Sequence, residues 1–451
     1  MTFSAGATSP HRDRSIDLVR AVLLVIVVGL HSMMVGISVG PSGFALGNAL
    51  EHQDWFAPVT WVLQVMPLFF LVGGFSSHTQ WTRMRERGHS ASDYVVSRLH
   101  RLLVPAVVVI VAVAIGLAAM TALGVPADLI AVAGFRISQP LWFLGVYVLC
   151  SAFVPVLVAA HGKRPVLTLA SLIAAAVAVD VLRFGTGIEG IGFLNLVFVW
   201  LAVQQLGFWL ADGRFDALSM RSRVSIMAGS LLGLLLLTML GPYSVDMLNN
   251  LNPPTICLIV LGAAQLMLFT LLRDRLRLAA ERPRIGAVVD ALGARSMTVY
   301  LWHMPVIIVL AAGLLVLNAV VHLPLPEPLS AGWWATRPIW LLAVGIAVLP
   351  VAACLGRFEM RKVAPSSLGT SPRVRVRVAF AVVAGAGAVL VLLVTGISLA
   401  GAVMALGMFV AALALAGVLE RTAQQESGLV SGLLSVRSGR RPATQGFPRL
   451  R

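Results

Sequence analysis

The stretch Asp17-Leu-Val-Arg20-Ala-Val-Leu-Leu-Val-Ile-Val-Val-Gly-Leu-His31 begins an apolar run that is long enough to cross a membrane. At about 100° per residue, Asp17, Arg20 and His31 fall within an arc of about 60° on one helix face. The helical rise places His31 about 16 Å from Arg20 along the axis, at the depth of the bilayer core. Ionisable side chains at that depth are costly and usually face a bundle interior. The stretch therefore predicts a transmembrane helix with a functional polar stripe.

The composition is that of a multi-spanning membrane protein. The chain has 451 residues, of which 58% are hydrophobic and 12% are charged. We expect the first apolar run to be a retained helix, because it is longer than a signal-peptide core, contains His31 and is followed by no A-x-A-like cleavage site. The three cysteines lie far apart and indicate neither a disulfide framework nor a metal site. No Walker A, Gly-x-Ser-x-Gly or His-Glu-x-x-His motif is present, which removes the usual support for an ATP-driven pump, serine hydrolase or metalloprotease.

The apolar segments predict an all-α transmembrane bundle of twelve spans. The uncharged stretch 378–418 is too long for one helix and predicts two, with a turn near Gly396 to Gly401. The other predicted helices cover residues 17–39, 58–81, 102–123, 141–160, 165–182, 192–211, 224–241, 255–272, 297–319 and 338–356.

Positive charge is distributed unevenly among the loops of this topology. All but three of the 34 Lys and Arg residues fall on the side of the N-terminus, and the exceptions are Arg136, Arg183 and Arg337. By the positive-inside rule, both termini are predicted to be cytoplasmic, in a plasma (inner) membrane. The net charge of +15 is then a topology signal with some attraction to anionic membrane lipids, and it does not indicate nucleic-acid binding. The predicted cytoplasmic loops are 82–101, 161–164, 212–223, 273–296 and 357–377.

Two further motifs lie on the second and third predicted helices. Pro67-Leu-Phe69-Phe70-Leu-Val-Gly73-Gly74-Phe75 combines a helix-kinking proline with paired glycines, which allow a backbone or a ligand to approach closely. Arg98-Leu-His-Arg101 places two guanidinium groups on one helix face, a spacing that suits a polyphosphate. Helix packing for the first motif and an ordinary positive-inside flank for the second remain open as structural interpretations.

A second intramembrane histidine occurs in Tyr300-Leu-Trp302-His303-Met-Pro305, on the ninth predicted helix. A neutral imidazole at depth can serve as a general base, and an arginine can hold an anion or polarise a carbonyl. His31 could instead make only a helix-packing hydrogen bond.

These motifs together resemble the acyltransferase-3 family of integral-membrane O-acyltransferases. Arg20 and His31 match its arginine–ten residues–histidine signature, Phe69-Phe70-x-x-x-Gly74-Phe75 its second motif and Arg98-x-x-Arg101 its third. Tyr300-Leu-Trp302-His303-Met-Pro305 is similar to its late-helix motif. The four matches occur in the expected order over residues 14 to 356.

The resemblance implies transfer of an acyl group, commonly acetyl, from cytoplasmic acyl-CoA to a hydroxyl at the outer face. The implied acceptor is a glycan, a lipid-linked sugar or another cell-surface molecule, and no cofactor is held permanently. His31 would act as a general base or become transiently acylated. Arg20 would orient the pantetheine arm of the donor or counter developing negative charge, and Asp17 would hold Arg20. The implied donor site is Arg98, Arg101, Phe69, Phe70 and Gly74, and the implied channel-lining residues are His303, Tyr300 and Trp302.

The predicted organisation is a cytoplasmic tail (1–14), a ten-helix acyltransferase domain (15–357), a basic loop (358–377), an extra helix pair (378–418) and a second tail (419–451). The resemblance does not account for the extra pair, whose small residues suit helix packing. A secondary transporter or flippase is the alternative function, since twelve helices with intramembrane Arg and His fit it as well. Transporters often have two corresponding halves, and this sequence has no such internal symmetry.

Overall fold

The computed structural model describes residues 13–40, 43–51, 53–360 and 369–418. The predicted tails, apart from residues 13 and 14, lie outside this part, as does the middle of the predicted basic loop. Most of the described chain is helical, and one small antiparallel hairpin follows the first helix. The predicted fold class, an all-α polytopic bundle, is therefore confirmed.

The helices follow one another through short connections. The strands β1 (Val35–Gly40) and β2 (Gly43–Asn48) pair antiparallel between the first two helices. The helices are α1 (Arg14–Met34), α2 (Thr60–Leu63), α3 (Met66–Glu86), α4 (Ala91–Ala122), α5 (Ala127–Ser138), α6 (Trp142–Lys163), α7 (Pro165–Thr186), α8 (Asn195–Ala211), α9 (Met220–Leu240), α10 (Ile256–Glu281), α11 (Pro283–Ala294), α12 (Ser296–Val321), α13 (Ala331–Met360), α14 (Pro372–Thr395) and α15 (Leu399–Leu415).

Eleven helical segments in the described residues are long and apolar enough to cross a membrane, and α15 is a shorter apolar helix. The turn between α14 and α15 covers Gly396 to Ser398, where the sequence places it. Gly396 has a φ of 64°, a left-handed value that glycine adopts without steric cost.

Several predicted boundaries are wrong, and three of them have a clear local cause. The first helix ends at Met34, because the β-branched and glycine-containing segment after it forms β1. The predicted helix 58–81 is broken before Met66, so Pro67 lies in the first turn of α3 and does not kink a helix centre. The third predicted helix starts earlier than expected, because Ser90 and Asp93 form a capping box at the beginning of α4.

Helix α1 packs against α10, α12 and α13, and it also contacts α3. The extra helix pair packs on the outside of this core, with α14 against α4 and α6. Small residues make that packing close: a Cβ at Gly145 would lie 3.2 Å from Val389, and one at Gly385 would lie 3.1 Å from Leu103. The extra helix pair is thus joined to the core by tight helix contacts. We call the end of the bundle that holds the start of α1, the end of α3 and the start of α4 the basic face.

Candidate active site

A cavity of about 750 Å³ enters the bundle from the basic face. Its α1 lining runs from Asp13 to Val27, a distance of about 21 Å along a helix. Its α3 lining runs from Arg87 at the basic face to Met66 at the far end. The cavity therefore reaches from the basic face to well inside the membrane-spanning region, with the polar stripe of α1 along one side.

Five arginines of the described chain line this cavity, and three of them come from α1 and α4. Arg20 of α1 lines it together with Arg98 and Arg101 of α4, although the two motifs are far apart in the sequence. Arg98 is buried, and its Nε donates a hydrogen bond of 3.3 Å to the Tyr94 hydroxyl. The Arg101 side chain is 44% exposed. The cavity thus offers one fixed guanidinium and one accessible guanidinium, an arrangement suited to an anion that enters from the basic face.

Glu359, a buried carboxylate on α13, connects the Arg101 side chain to α12. Glu359 Oε2 accepts hydrogen bonds of 2.9 Å from the Thr298 backbone N–H and hydroxyl, and Oε1 accepts one of 3.2 Å from the Met297 N–H. Oε1 also lies 3.8 Å from a terminal nitrogen of Arg101. Helix N-termini leave backbone donors unpaired, and a carboxylate is a favourable partner for them. Glu359 therefore contacts both the start of α12 and the Arg101 guanidinium, and it positions the two relative to each other.

Aromatic side chains surround the deep part of the cavity. Phe69, Phe143, Tyr147 and Tyr300 all line it. The Phe143 ring lies 5.0 Å from the Phe69 ring, 5.1 Å from Tyr300 and 5.3 Å from Tyr147. Such a wall excludes water and suits an uncharged part of a ligand. The cavity is thus cationic near the basic face and apolar at depth.

The two intramembrane histidines lie together just beyond the deep end of the cavity. His303 Nε2 is 3.2 Å from His31 Nδ1, and the ring centroids are 5.0 Å apart. The cavity-lining residues Val27 and Tyr300 lie one turn before His31 and His303. The pair therefore stands where α1 and α12 meet past the aromatic wall.

Backbone carbonyls determine the tautomers of this pair. His31 Nδ1 is 3.0 Å from the Val27 carbonyl oxygen, and His303 Nδ1 bonds to the Tyr300 carbonyl oxygen. A carbonyl oxygen only accepts, so both Nδ1 atoms carry hydrogen in the neutral pair. His303 Nε2 then accepts from His31 Nδ1–H, and His31 Nε2 keeps its lone pair. His303 is fully buried and His31 is partly exposed. In this arrangement the Nε2 atom of His31 keeps a lone pair that can accept a proton, and the His31 ring is held by His303.

The family model described as an acyltransferase domain matches residues 13–357. The chain belongs to the acyltransferase-3 family. The match extends from α1 into the last part of α13 and leaves out Glu359 and the extra helix pair. No curated protein and no solved structure matches the chain. The resemblance that the sequence motifs indicated is confirmed, and the protein is a multi-pass membrane member of an acyltransferase family.

The acyltransferase-3 motifs do not all contribute to the cavity. Phe70 is buried and stacks on Trp200 with ring centroids 4.4 Å apart, so it packs away from the cavity beside Phe69. A Cβ on Gly74 would lie 2.2 Å from the Gln204 carbonyl oxygen of α8, which indicates close helix packing at this glycine. Trp302 is partly buried against the main core. The predicted donor-site roles of Phe70 and Gly74 thus gain no geometric support, and Asp17 as the partner of Arg20 stays a prediction.

Sequence reasoning missed Glu359, Phe143 and Tyr147. One signal pointed to Glu359, since it is the only acidic residue in the strongly basic segment 357–377. Phe143 and Tyr147 lie in the apolar stretch 142–149 at the start of α6, and nothing in that pattern distinguishes cavity-lining positions from packing ones.

Proposed function

We propose that the protein is an acyl-CoA-dependent O-acyltransferase of the cell envelope. It would transfer an acyl group, acetyl in the simplest case, from cytoplasmic acyl-CoA to a hydroxyl of an extracytoplasmic glycan or lipid-linked acceptor. One observation carries the proposal: a single cavity connects the guanidinium groups of Arg20, Arg98 and Arg101 to the neighbourhood of the His31–His303 pair.

Coenzyme A matches the change along this cavity from a cationic lining near the basic face to an apolar lining at depth. Its phosphates are multiply charged and would bind Arg98 and Arg101, with Arg83 and Arg87 at the entrance adding to the positive potential. The thin pantetheine arm would extend past Arg20 and the aromatic wall. The cavity's depth of about 21 Å along α1 leaves room for such an arm. The thioester would then lie near His31.

His31 Nε2 is the group best placed to start the transfer. It would accept the proton of the acceptor hydroxyl while the hydroxyl oxygen attacks the thioester carbonyl carbon. The new C–O bond forms, the C–S bond breaks, and the CoA thiolate takes the proton from the His31 imidazolium. During the step, the imidazolium Nδ1–H donates to His303 Nε2, which holds the ring in place and disperses its charge.

Transient acylation of His31 is a second route through the same geometry. His31 Nε2 would attack the thioester, release CoA and later pass the acyl group to the acceptor hydroxyl. Both routes need the same nitrogen, and they differ in whether CoA leaves before the acceptor binds.

The deciding experiment measures CoA release by purified full-length protein in liposomes supplied with acetyl-CoA and an envelope extract. We expect thiol release that requires the extract, and its loss in a His31→Ala variant that inserts and folds normally. Full acyl transfer by His31→Ala would overturn the mechanism. Proton-coupled solute flux without CoA release would instead establish the transporter alternative. A burst of CoA release without any acceptor would indicate the acyl-histidine route.

A further inference from the structure

A second cavity of about 730 Å³, here called the Arg337 groove, lies between β1, the C-terminal half of α12 and the N-terminal half of α13. Its walls include Val35, Leu310, Leu314, Trp333 and Trp340. All of its lining residues are apolar or aromatic except Thr336 and Arg337. No acyltransferase-3 motif discussed above contributes to it.

The rim of the Arg337 groove faces outward from the bundle. Val309 is 69% exposed, Val316 60% and Ile339 72%, and all three belong to helices long and apolar enough to span a membrane. Such side chains are stable in contact with hydrocarbon and costly in water. The groove therefore opens to the lipid phase, and its apolar walls suit a hydrocarbon chain.

Among the described residues that line the groove, Arg337 is the only charged one. Its Nε donates 3.2 Å to the Trp333 carbonyl oxygen, and a terminal nitrogen donates 3.3 Å to the Thr336 hydroxyl. The guanidinium centre lies 4.3 Å from the Trp333 ring and 5.6 Å from the Trp340 ring. In the described part of the chain it forms no ion pair with a carboxylate. A half-buried cation in an apolar groove is strongly stabilised by an anionic ligand.

The groove shares a wall with the histidine pair. Trp340 lines the groove, and its Nε1–H donates a hydrogen bond of 2.9 Å to the carbonyl oxygen of Ser32. Ser32 follows His31 directly, and Val35 in the groove lies one turn beyond it. A ligand held by Arg337 would therefore have its polar end near the side of α1 that carries the proposed base.

We propose that the acceptor hydroxyl is carried on an anionic lipid. The hydrocarbon chain lies in the Arg337 groove, the anionic group that joins chain to head binds Arg337, and the hydroxyl-bearing head extends toward His31. This inference rests on the proposed function and narrows its acceptor to a lipid-borne one. Charge complementarity selects the occupant, because a neutral lipid leaves the Arg337 charge uncompensated.

The binding test uses full-length protein in phosphatidylcholine nanodiscs and the fluorescence of its tryptophans, two of which contact Arg337. Brominated-chain phosphatidylglycerol is expected to quench the tryptophan fluorescence at about fivefold lower mole fraction than brominated phosphatidylcholine does. Arg337→Gln should abolish this preference, while Arg337→Lys and the matched control Arg136→Gln should keep it. Equal quenching by the two lipids in the wild type, or a preference that survives in Arg337→Gln, would overturn the proposal. So would reversal of the quenching by inorganic phosphate, which would assign the site to a soluble anion.

The second test follows radiolabelled acetyl groups from acetyl-CoA in envelope membranes. The label should enter the organic-solvent-extractable fraction and should fall severalfold in Arg337→Gln but not in Arg136→Gln. Label found only in water-soluble or polymeric material would overturn the lipid-borne acceptor and leave acyl transfer intact. Absence of CoA release would count against the proposed function, and the nanodisc measurement would still decide whether the groove selects an anionic lipid.

Discussion

His303 Nε2 lies 3.2 Å from His31 Nδ1, although the two residues are 272 positions apart in the chain. The contact joins the first helix of the bundle to α12 just beyond the deep end of a cavity whose other end is cationic. Each imidazole is also anchored to a carbonyl of its own helix, so the pair has one defined hydrogen-bonding direction. Of the ring nitrogens of this pair, only His31 Nε2 keeps a lone pair outside these hydrogen bonds.

This direction of hydrogen bonding predicts that replacing His31 and replacing His303 affect kcat unequally. His31→Ala should lower kcat by about 10²- to 10⁴-fold, because the base is lost. His303→Ala should lower kcat less, because it removes only the support of the base, and it should leave the KM for acyl-CoA unchanged. The measurement is steady-state CoA release by correctly folded variants. An active His31→Ala beside an inactive His303→Ala would reverse the two roles.

Arg98 and Arg101 are predicted to act on donor binding. Replacing either with Gln should raise the KM for acyl-CoA by about 10- to 100-fold, because a charge-assisted hydrogen bond to phosphate is lost. Arg275→Gln on α10 is the matched control, since this exposed arginine does not line the cavity. An unchanged KM with a reduced kcat would remove Arg98 and Arg101 from the donor site.

Glu359 is predicted to act as a positioning residue. Glu359→Gln keeps one acceptor oxygen for Thr298 but places an NH2 donor opposite the Met297 N–H and loses the charge opposite Arg101, so the KM for acyl-CoA should rise and the melting temperature should fall less than in Glu359→Ala. Glu359→Ala should lower both donor affinity and stability, the latter by about 1–3 kcal/mol, because buried backbone donors lose their partner. Kinetics and thermal unfolding of both variants separate the two effects. A normal KM in Glu359→Gln would confine Glu359 to helix capping.

Hydropathy and charge were sufficient to predict the bundle, because the bilayer requires long apolar helices and sorts positive charge. Helix ends were less predictable, since they depend on local hydrogen bonds such as the capping box of Ser90 and Asp93. The β1–β2 hairpin was missed because a glycine-rich apolar segment continues the hydropathy of α1 without its helical propensity.

The parts of the site that lie on one helix could be predicted from the sequence, and the reason is geometric. The spacing of Arg20 and His31, and that of Arg98 and Arg101, directly gives a shared helix face. The meeting of His31 with His303 and of Arg101 with Glu359 depends on how helices far apart in the chain pack together. No periodicity in a single sequence contains that information.

The Asp13–Arg273 contact predicts a pH-dependent contribution to stability at the start of α1. Burial alone raises the pKa of Asp13, but hydrogen bonds from Ser15 and Arg273 and the Arg273 charge together lower it below its usual value. A lowered folded-state pKa stabilises the protein above the unfolded-state pKa of about 4, and this stabilisation is lost as the pH falls through the folded-state value. Asp13→Asn should keep the helix cap, lose the ion pair and cost about 0.5–1 kcal/mol at neutral pH.

Thermal unfolding of the wild type and Asp13→Asn between neutral and acidic pH checks this dependence. The difference in melting temperature should be constant near pH 7 and should shrink as the pH falls below about 4. A difference that grows on acidification would show that the Asp13 carboxylate does not contribute through its charge.

Gly74 and its neighbour Gly73 provide a matched pair that tests which glycine is required for packing. A Cβ at Gly74 would lie 2.2 Å from the Gln204 carbonyl oxygen, whereas one at Gly73 would lie 3.5 Å from the Tyr147 ring, an ordinary contact. Gly74→Ala should therefore force α3 and α8 apart and destabilise the protein by about 1–3 kcal/mol, while Gly73→Ala should be nearly neutral. Melting temperature and folded yield of the two variants make the comparison. A different outcome is that Gly74→Ala folds as well as Gly73→Ala but raises the KM for acyl-CoA. Gly74 would then belong to the donor site, as the family resemblance implies, and its close approach to α8 would not be essential for the fold.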